Sequence, residues 1–194
     1  MPRYLQVRPG AVLAWLSMKP ASLERRLFEH LLGAPQAVAL NVPALAAALR
    51  QPARAIARAL FALNRQAGIA VQEAAAPPCG AANPASGAAC RGLAGLEQDL
   101  RDISCGNGQM MLACEDGFCI AQAGLSPAQA QSLAAQLALG DGPAASHCRA
   151  ALSFGDRTLH FYASAGIDLK HPLMLRLGAR LLQGCQLPSV TGGQ

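Results

Sequence analysis

Residues 96–139 read LEQDLRDISCGNGQMMLACEDGFCIAQAGLSPAQAQSLAAQLAL, the most regular hydrophobic pattern in the chain. Apolar residues recur at helical intervals where this stretch begins, which predicts a helix that ends near Ser104. These residues are Leu93, Leu96, Leu100 and Ile103. Two apolar runs of strand length follow at 109–114 and 118–123, and the Asp116-Gly117 pair between them is typical of a tight hairpin turn.

A second helix is predicted directly after this hairpin. The Ser126 hydroxyl can cap free backbone amides, and the fixed φ of Pro127 suits the first helical turn. The helix is expected to end at Gly140. Its predicted buried stripe consists of Ala130, Leu133, Ala134 and Leu137.

This helix–hairpin–helix segment resembles the roadblock/LC7 domain, a small module in which a helix leads into a DG-turn hairpin and a second helix. The resemblance covers roughly residues 92–185 and rests most on LEQDLRDI, CEDGF and the small-residue helix after Ser126. It implies a homodimer that scaffolds protein complexes or binds small Ras-like GTPases, some such modules accelerating nucleotide hydrolysis on the partner. No catalytic residue belongs to the pattern.

The remainder of this half fits the same kind of fold. Alternating residues predict strands at 147–154 and 157–163 with Gly155-Asp156 between them, and a closing helix begins at Pro172. The family has five strands, whereas four are evident here. The fifth is expected near 142–146 or from another part of the chain. The predicted fold class is α+β, a sandwich with an antiparallel sheet.

The amino-terminal half is predicted to contain three helices and a strand. Ser22 can cap a helix that ends at Gly33, with its leucines on one side and Arg25, Arg26 and Glu29 elsewhere. Those leucines are Leu23, Leu27, Leu31 and Leu32. Further helices fit residues 43–50 and 52–66, the latter with a core stripe of Ile56, Leu60 and Leu63, and the run IAVQ after Gly68 alternates like a strand.

This order resembles a winged helix-turn-helix, whose third helix usually enters the major groove of DNA. Arg54, Arg58 and Arg65 lie four and seven residues apart, which places them on one face of the third helix. Guanidinium groups there could contact phosphates or guanine, and Arg50 would extend the patch. Many winged-helix domains bind protein instead, and an Ala-rich helix with three arginines is also simply a soluble helix. Both readings stay open.

Composition predicts a globular chain with two domains. The 194 residues are 52% hydrophobic and 14% charged. We predict a winged-helix-like basic domain at 1–75, an Ala/Pro/Gly linker at 76–91, a roadblock/LC7-like domain at 92–186 and a flexible tail at 187–194. Residues 1–75 hold nine Lys or Arg against three acids, whereas 91–194 hold seven against eight. The basic excess of the first half favours an anionic partner.

The cysteines predict neither a zinc site nor a disulfide framework. No signal peptide or membrane-length apolar stretch is evident, so we expect a cytoplasmic protein whose seven cysteines are mostly free thiols. If Asp116 and Gly117 alone form the hairpin loop, Cys114 faces Cys119 at a distance compatible with a bridge. No CxxC pair exists, and the four histidines are isolated. No metal or cofactor is expected.

Motifs for catalysis are not evident. The chain has no GxSxG and no phosphate-binding GK[ST] loop. Glu97, Asp99 and Asp102 crowd one predicted helix and are expected to form its solvated face. Two hypotheses follow. The first is a non-enzymatic dimeric adaptor that binds a protein partner, and the alternative is a DNA-binding regulator whose second half dimerises it or senses a signal.

Overall fold

The computed structural model describes residues 2–34, 36–74, 95–141 and 147–185. The predicted linker at 76–91 and the predicted tail at 187–194 lie outside these ranges. Within them the chain forms seven α-helices and two antiparallel sheets of three and four strands. The predicted α+β class with antiparallel pairing is therefore confirmed.

The first sheet and four helices come from the amino-terminal half. Their bounds are β1 Arg3–Val7, α1 Val12–Leu16, α2 Leu23–Gly33, β2 Val38–Ala39, α3 Val42–Leu49, α4 Ala53–Arg65 and β3 Ile69–Glu73. The strand order is β2-β1-β3, and β1 pairs antiparallel with both neighbours. The three predicted helices and the strand after Gly68 are confirmed.

Local sequence explains how these helices begin and pack. The Ser22 side chain accepts a hydrogen bond from the Arg25 amide at 3.2 Å, as an N-cap does. On α4, the predicted core residues Ile56, Leu60 and Leu63 are buried. Trp15 stacks on Phe28 of α2 with ring centres 5.6 Å apart, so the end of α1 packs against that helix.

The second sheet and three helices come from the carboxyl-terminal half. Their bounds are α5 Leu96–Ser104, β4 Met110–Cys114, β5 Cys119–Ala123, α6 Pro127–Ala138, β6 Cys148–Phe154, β7 Arg157–Ala163 and α7 Leu173–Cys185. The strand order is β5-β4-β7-β6. The position considered for a fifth strand, 142–146, lies outside the described residues.

The central strand β4 is buried on both faces because successive side chains point to opposite layers. Met110 and Leu112 join the main core that also contains residues of α5 and α7. Met111 and Ala113 join a smaller core under α6. The stripe predicted for α6 is confirmed, with Ala130, Ala134 and Leu137 buried and Leu133 half-buried, and Ser126 forms a capping box with Gln129.

The register predicted at the hairpin turn is wrong. Cys114 donates its backbone N–H to the Phe118 carbonyl at 2.9 Å, which leaves three loop residues instead of two. Gly117 is the last of these loop residues and has φ +80°. A left-handed residue at this position of a three-residue loop forms a bulge in the hairpin. The pairing shifts between Leu112 and Ala113, so Cys119 lies opposite Ala113 and not opposite Cys114.

The main core is shared between the two halves of the chain. It contains Leu16 and Phe28 from the first half together with Leu177 and Leu181 of α7 from the second. Helix α7 packs against α5 and also against α1 and α2. Gly178 of α7 allows this close approach, since a Cβ there would lie 2.6 Å from Val12 Cγ1.

Two charged residues of the helices are buried, although the sequence predicts a solvated face for Asp99 and places Arg25 away from the leucine side of its helix. Arg25 of α2 and Asp99 of α5 have 0% and 1% of their surface exposed. Each is surrounded by groups from other elements that satisfy its charge or its hydrogen bonds. Helical periodicity could not show these partners because they come from distant parts of the chain.

The longest helices, α4 and α7, have 13 residues each. Among the described helices, none has the length and apolar character needed to cross a bilayer.

Candidate functional site: two exposed interaction surfaces

The first surface is the outer face of α4, made by Arg54, Arg58, Phe61 and Arg65, and is called the α4 surface below. All four residues are exposed, and they lie opposite the buried stripe of the same helix. The three arginines predicted to share a face therefore do so. Arg50, also exposed, stands at the turn before α4, where its backbone adopts a left-handed conformation with φ 52°.

The charge of this region has one sign. Residues 30–72 contain no Asp or Glu. In the part of the chain that the structure describes, the guanidinium groups of Arg50, Arg54, Arg58 and Arg65 make no salt bridge. Their positive charge is balanced only by solvent ions, so an anionic partner can replace those ions without breaking protein contacts.

Phe61 is the feature of this surface that the sequence analysis missed. Its side chain is 69% exposed in the middle of the arginine row. The signal was available, since Phe61 lies three residues after Arg58 and four before Arg65, on the polar side of the helix. A large aromatic ring there adds apolar contact area to a basic face, a combination common in binding surfaces.

The second surface is the outer face of α6, made by Ala128, Ser132, Ala135, Gln136 and Leu139, and is called the α6 surface below. All five residues are exposed. No charged residue occurs between Asp116 and Asp141. This helix therefore presents small and uncharged side chains to solvent, whereas surface helices usually carry charges.

Two large apolar side chains extend the α6 surface. Leu139 is 77% exposed at the end of the helix, and Phe118 is 63% exposed at the hairpin turn. The hairpin lies against α6, because Gln131 Nε2 donates to the Gly117 carbonyl at 3.0 Å. An exposed apolar patch of this kind marks an interaction site more often than a lone exposed residue does.

Comparison with protein-family models, with curated proteins and with solved structures found no match. The roadblock/LC7 and winged-helix resemblances therefore stay expectations drawn from the sequence.

The ionisable groups between α5 and α7 pair with one another. Asp99 lies 2.7 Å from Arg176 Nε and 2.6 Å from Arg180 Nε, and Asp102 lies 2.6 Å from Arg176 Nη2. The hydrogen bond from Arg176, followed by that from Gln98, lowers the pKa of Asp102. This cluster fastens two helices together, and its groups already have partners.

The described cysteines and histidines do not converge on a metal site. Cys105, Cys114, Cys119, Cys148 and Cys185 are free thiols in the described chain. Burial raises the pKa of the last three, which keeps those thiols protonated. Among the described residues no three His, Cys, Asp or Glu side chains could hold a metal ion. His147 stacks on Tyr162 with ring centres 5.3 Å apart.

A cavity of about 290 Å³ lies beside the end of α6. It is lined by Leu137, Gly140, Arg149, Ala150, Ala151, His160 and Phe161. Arg149 and His160 are the ionisable residues of this lining, and Arg149 already donates to the Gly140 carbonyl at 3.3 Å. The lining brings no carboxylate next to His160.

Proposed function

We propose that the protein is a non-enzymatic dimeric adaptor that self-associates through the α6 surface and binds a protein partner. The observation that carries this proposal is the uncharged outer face of α6, extended by the exposed side chains of Phe118 and Leu139. Covering this patch removes apolar area from water without desolvating a charged group of the patch.

A second copy of the chain is the occupant that suits this surface best. An isologous contact places the same patch on both sides, so uncharged side chains meet uncharged side chains. The same contact would bring Leu139 of each copy under cover. The roadblock/LC7 resemblance implies a homodimer as well, and the order β5-β4-β7-β6 with α6 packed on one face of the sheet is compatible with it.

Light scattering on the purified chain and on a Leu139→Arg variant tests self-association. We expect the wild type to have twice the monomer mass. The dimer dissociation constant of the variant should be about 30-fold higher, because the contact would bury the charge of the new arginine. Val71→Arg is the matched control, since Val71 is 43% exposed on β3 in the other half of the chain. A monomeric wild type, or a variant that dimerises like the wild type, contradicts the proposal.

The resemblance also suggests the class of protein partner, a small Ras-like GTPase. Titration calorimetry of the wild type against purified GTPases of this class, loaded with a non-hydrolysable nucleotide, tests that part separately. If the protein self-associates but binds no GTPase, the proposal of a dimeric adaptor stands and this class of partner is rejected.

The second candidate function is DNA binding through the α4 surface. It is favoured by the guanidinium groups of Arg54, Arg58 and Arg65, which make no salt bridge with the described residues, and by the lack of Asp and Glu in residues 30–72. An α-helix with its side chains is about 10–12 Å wide and the major groove about 12 Å. Under this alternative the protein is a DNA-binding regulator, and its carboxyl-terminal half holds two copies together.

Fluorescence anisotropy with a labelled duplex at several salt concentrations tests this second candidate. We expect affinity to fall steeply with salt, and each Arg→Ala change at position 54, 58 or 65 to reduce the log–log slope by roughly 0.9. Arg3→Ala is the control, because Arg3 belongs to the same half but pairs with Glu73 at 2.8 Å. Equal slopes in all variants would reject the assignment.

A further inference from the structure

Arg25 connects the two halves of the chain through its guanidinium group. The group donates to the Trp15 carbonyl of α1 and, at 3.0 Å, to the Ser153 carbonyl of β6. It also forms a 2.6 Å ion pair with Glu29 one turn along α2. Its carbon Cζ lies 5.7 Å from the centre of the Phe154 ring, so two neighbouring residues of β6 contact the guanidinium group.

Because Arg25 is buried, water cannot replace the protein groups that it contacts. None of its surface is exposed, and burial lowers the pKa of the group while Glu29 opposes that effect. A shorter or uncharged side chain would leave the Trp15 and Ser153 carbonyls without this donor inside the protein. Among the described strands β6 lies at the edge of the four-stranded sheet, and Arg25 supplies a donor to the Ser153 carbonyl of that strand.

A second contact between the halves lies on α7 and does not involve Arg25. A Cβ at Gly178 would be 2.6 Å from Val12 Cγ1 and 3.1 Å from Leu32 Cδ2. Helix α2 packs against α7 and also against α4, so it links the helix that carries the α4 surface to the second half. Two independent contacts therefore hold α2 against the second half.

We propose that Arg25 is a latch that fixes the amino-terminal helices on the carboxyl-terminal sheet, so that one rigid body carries both the α4 surface and the α6 surface. The functional consequence rests on the proposed self-association. A dimer formed through α6 then presents two α4 surfaces at a fixed separation, and a long anionic partner engages both at once.

Denaturant unfolding of the full chain, followed by two probes, tests the latch. Trp15 is the single tryptophan and reports on the amino-terminal helices, whereas amide hydrogen exchange reports on β6 and β4. We expect the two signals of the wild type to change together. In Arg25→Met the tryptophan signal should change at lower denaturant, and β6 amides should exchange about tenfold faster while β4 amides do not.

Arg26→Met is the matched control, since Arg26 is the exposed neighbour and donates to the Leu49 carbonyl at 3.4 Å within its own half. Arg25→Lys keeps the charge with fewer donors and should give an intermediate effect. If Arg25→Met does not fold, Arg25→Lys carries the test with the same criteria. The latch would be overturned if, in the folded variants, both signals change at the same denaturant concentration and the β6 amides exchange at the wild-type rate.

This result is separable from the proposed function. The unfolding experiment needs neither DNA nor a partner, so it can fail while Leu139→Arg still weakens self-association. Conversely, the wild type could prove monomeric while Arg25→Met shows two separate unfolding transitions. That result would support the role of Arg25 and exclude the binding of one partner by two α4 surfaces of a dimer.

Discussion

Asp99 shows how a single residue can depend on distant parts of the chain. Its carboxylate is almost fully removed from water and pairs with two arginines of α7, Arg176 and Arg180. Both partners lie more than 70 positions away in the sequence. A buried carboxylate with two cations is tolerated because the partners replace its hydration.

We predict that Asp99→Asn lowers the free energy of unfolding by about 3 kcal/mol, because the partly buried guanidinium groups of Arg176 and Arg180 lose the charge of a buried carboxylate that both contact, while Arg176 keeps its pair with Asp102. Urea titration measures this value. Glu97→Gln on the same helix is the control, since the Glu97–Arg101 pair is exposed and should contribute less than about 0.5 kcal/mol. Equal effects of the two changes would contradict the role assigned to Asp99.

At the scale of elements, the hairpin between β4 and β5 depends on one glycine. Gly117 has φ +80° and is the last residue of the three-residue turn, and a Cβ there would lie 3.2 Å from Ala135 Cα of α6. The glycine therefore serves two purposes. It permits the left-handed backbone, and it lets the turn approach the α6 helix.

We predict that Gly117→Ala destabilises the protein more than Gly140→Ala. Both positions have φ +80°, so each change adds about 1–2 kcal/mol of left-handed strain. At Gly140, however, nothing lies within 4 Å of the added Cβ, whereas at Gly117 the backbone of α6 must shift. Thermal unfolding of the two variants measures the difference, and a larger loss at Gly140 would contradict this explanation.

At the scale of the whole molecule, the two halves differ in charge but share a core. Arginines without acids dominate the outer face of α4, and uncharged side chains form the outer face of α6. Between them, α2 and α7 pack together, and Arg25 fastens α2 to β6. The two chemically different surfaces thus belong to elements that share one core, as the proposed adaptor requires.

Local sequence determined most of the elements and the α4 face, although it did not predict β1, α1 and β2. Helical spacing and caps located α2, α4, α5 and α6, and the same spacing placed Arg54, Arg58 and Arg65 together. These features depend on residues within a few turns of one another, so short-range periodicity is enough to predict them.

Tertiary contacts decided the burial of Arg25 and Asp99, the bulge near Cys119 and the union of the two halves through α7. Each depends on groups that meet only after folding: Ser153 beside Arg25, the α7 arginines beside Asp99, and α6 beneath the hairpin turn. Hydrophobic periodicity records which side of an element is apolar. It does not record which distant cation, carbonyl or helix will cover that side, because those contacts are fixed by the packing of the whole chain.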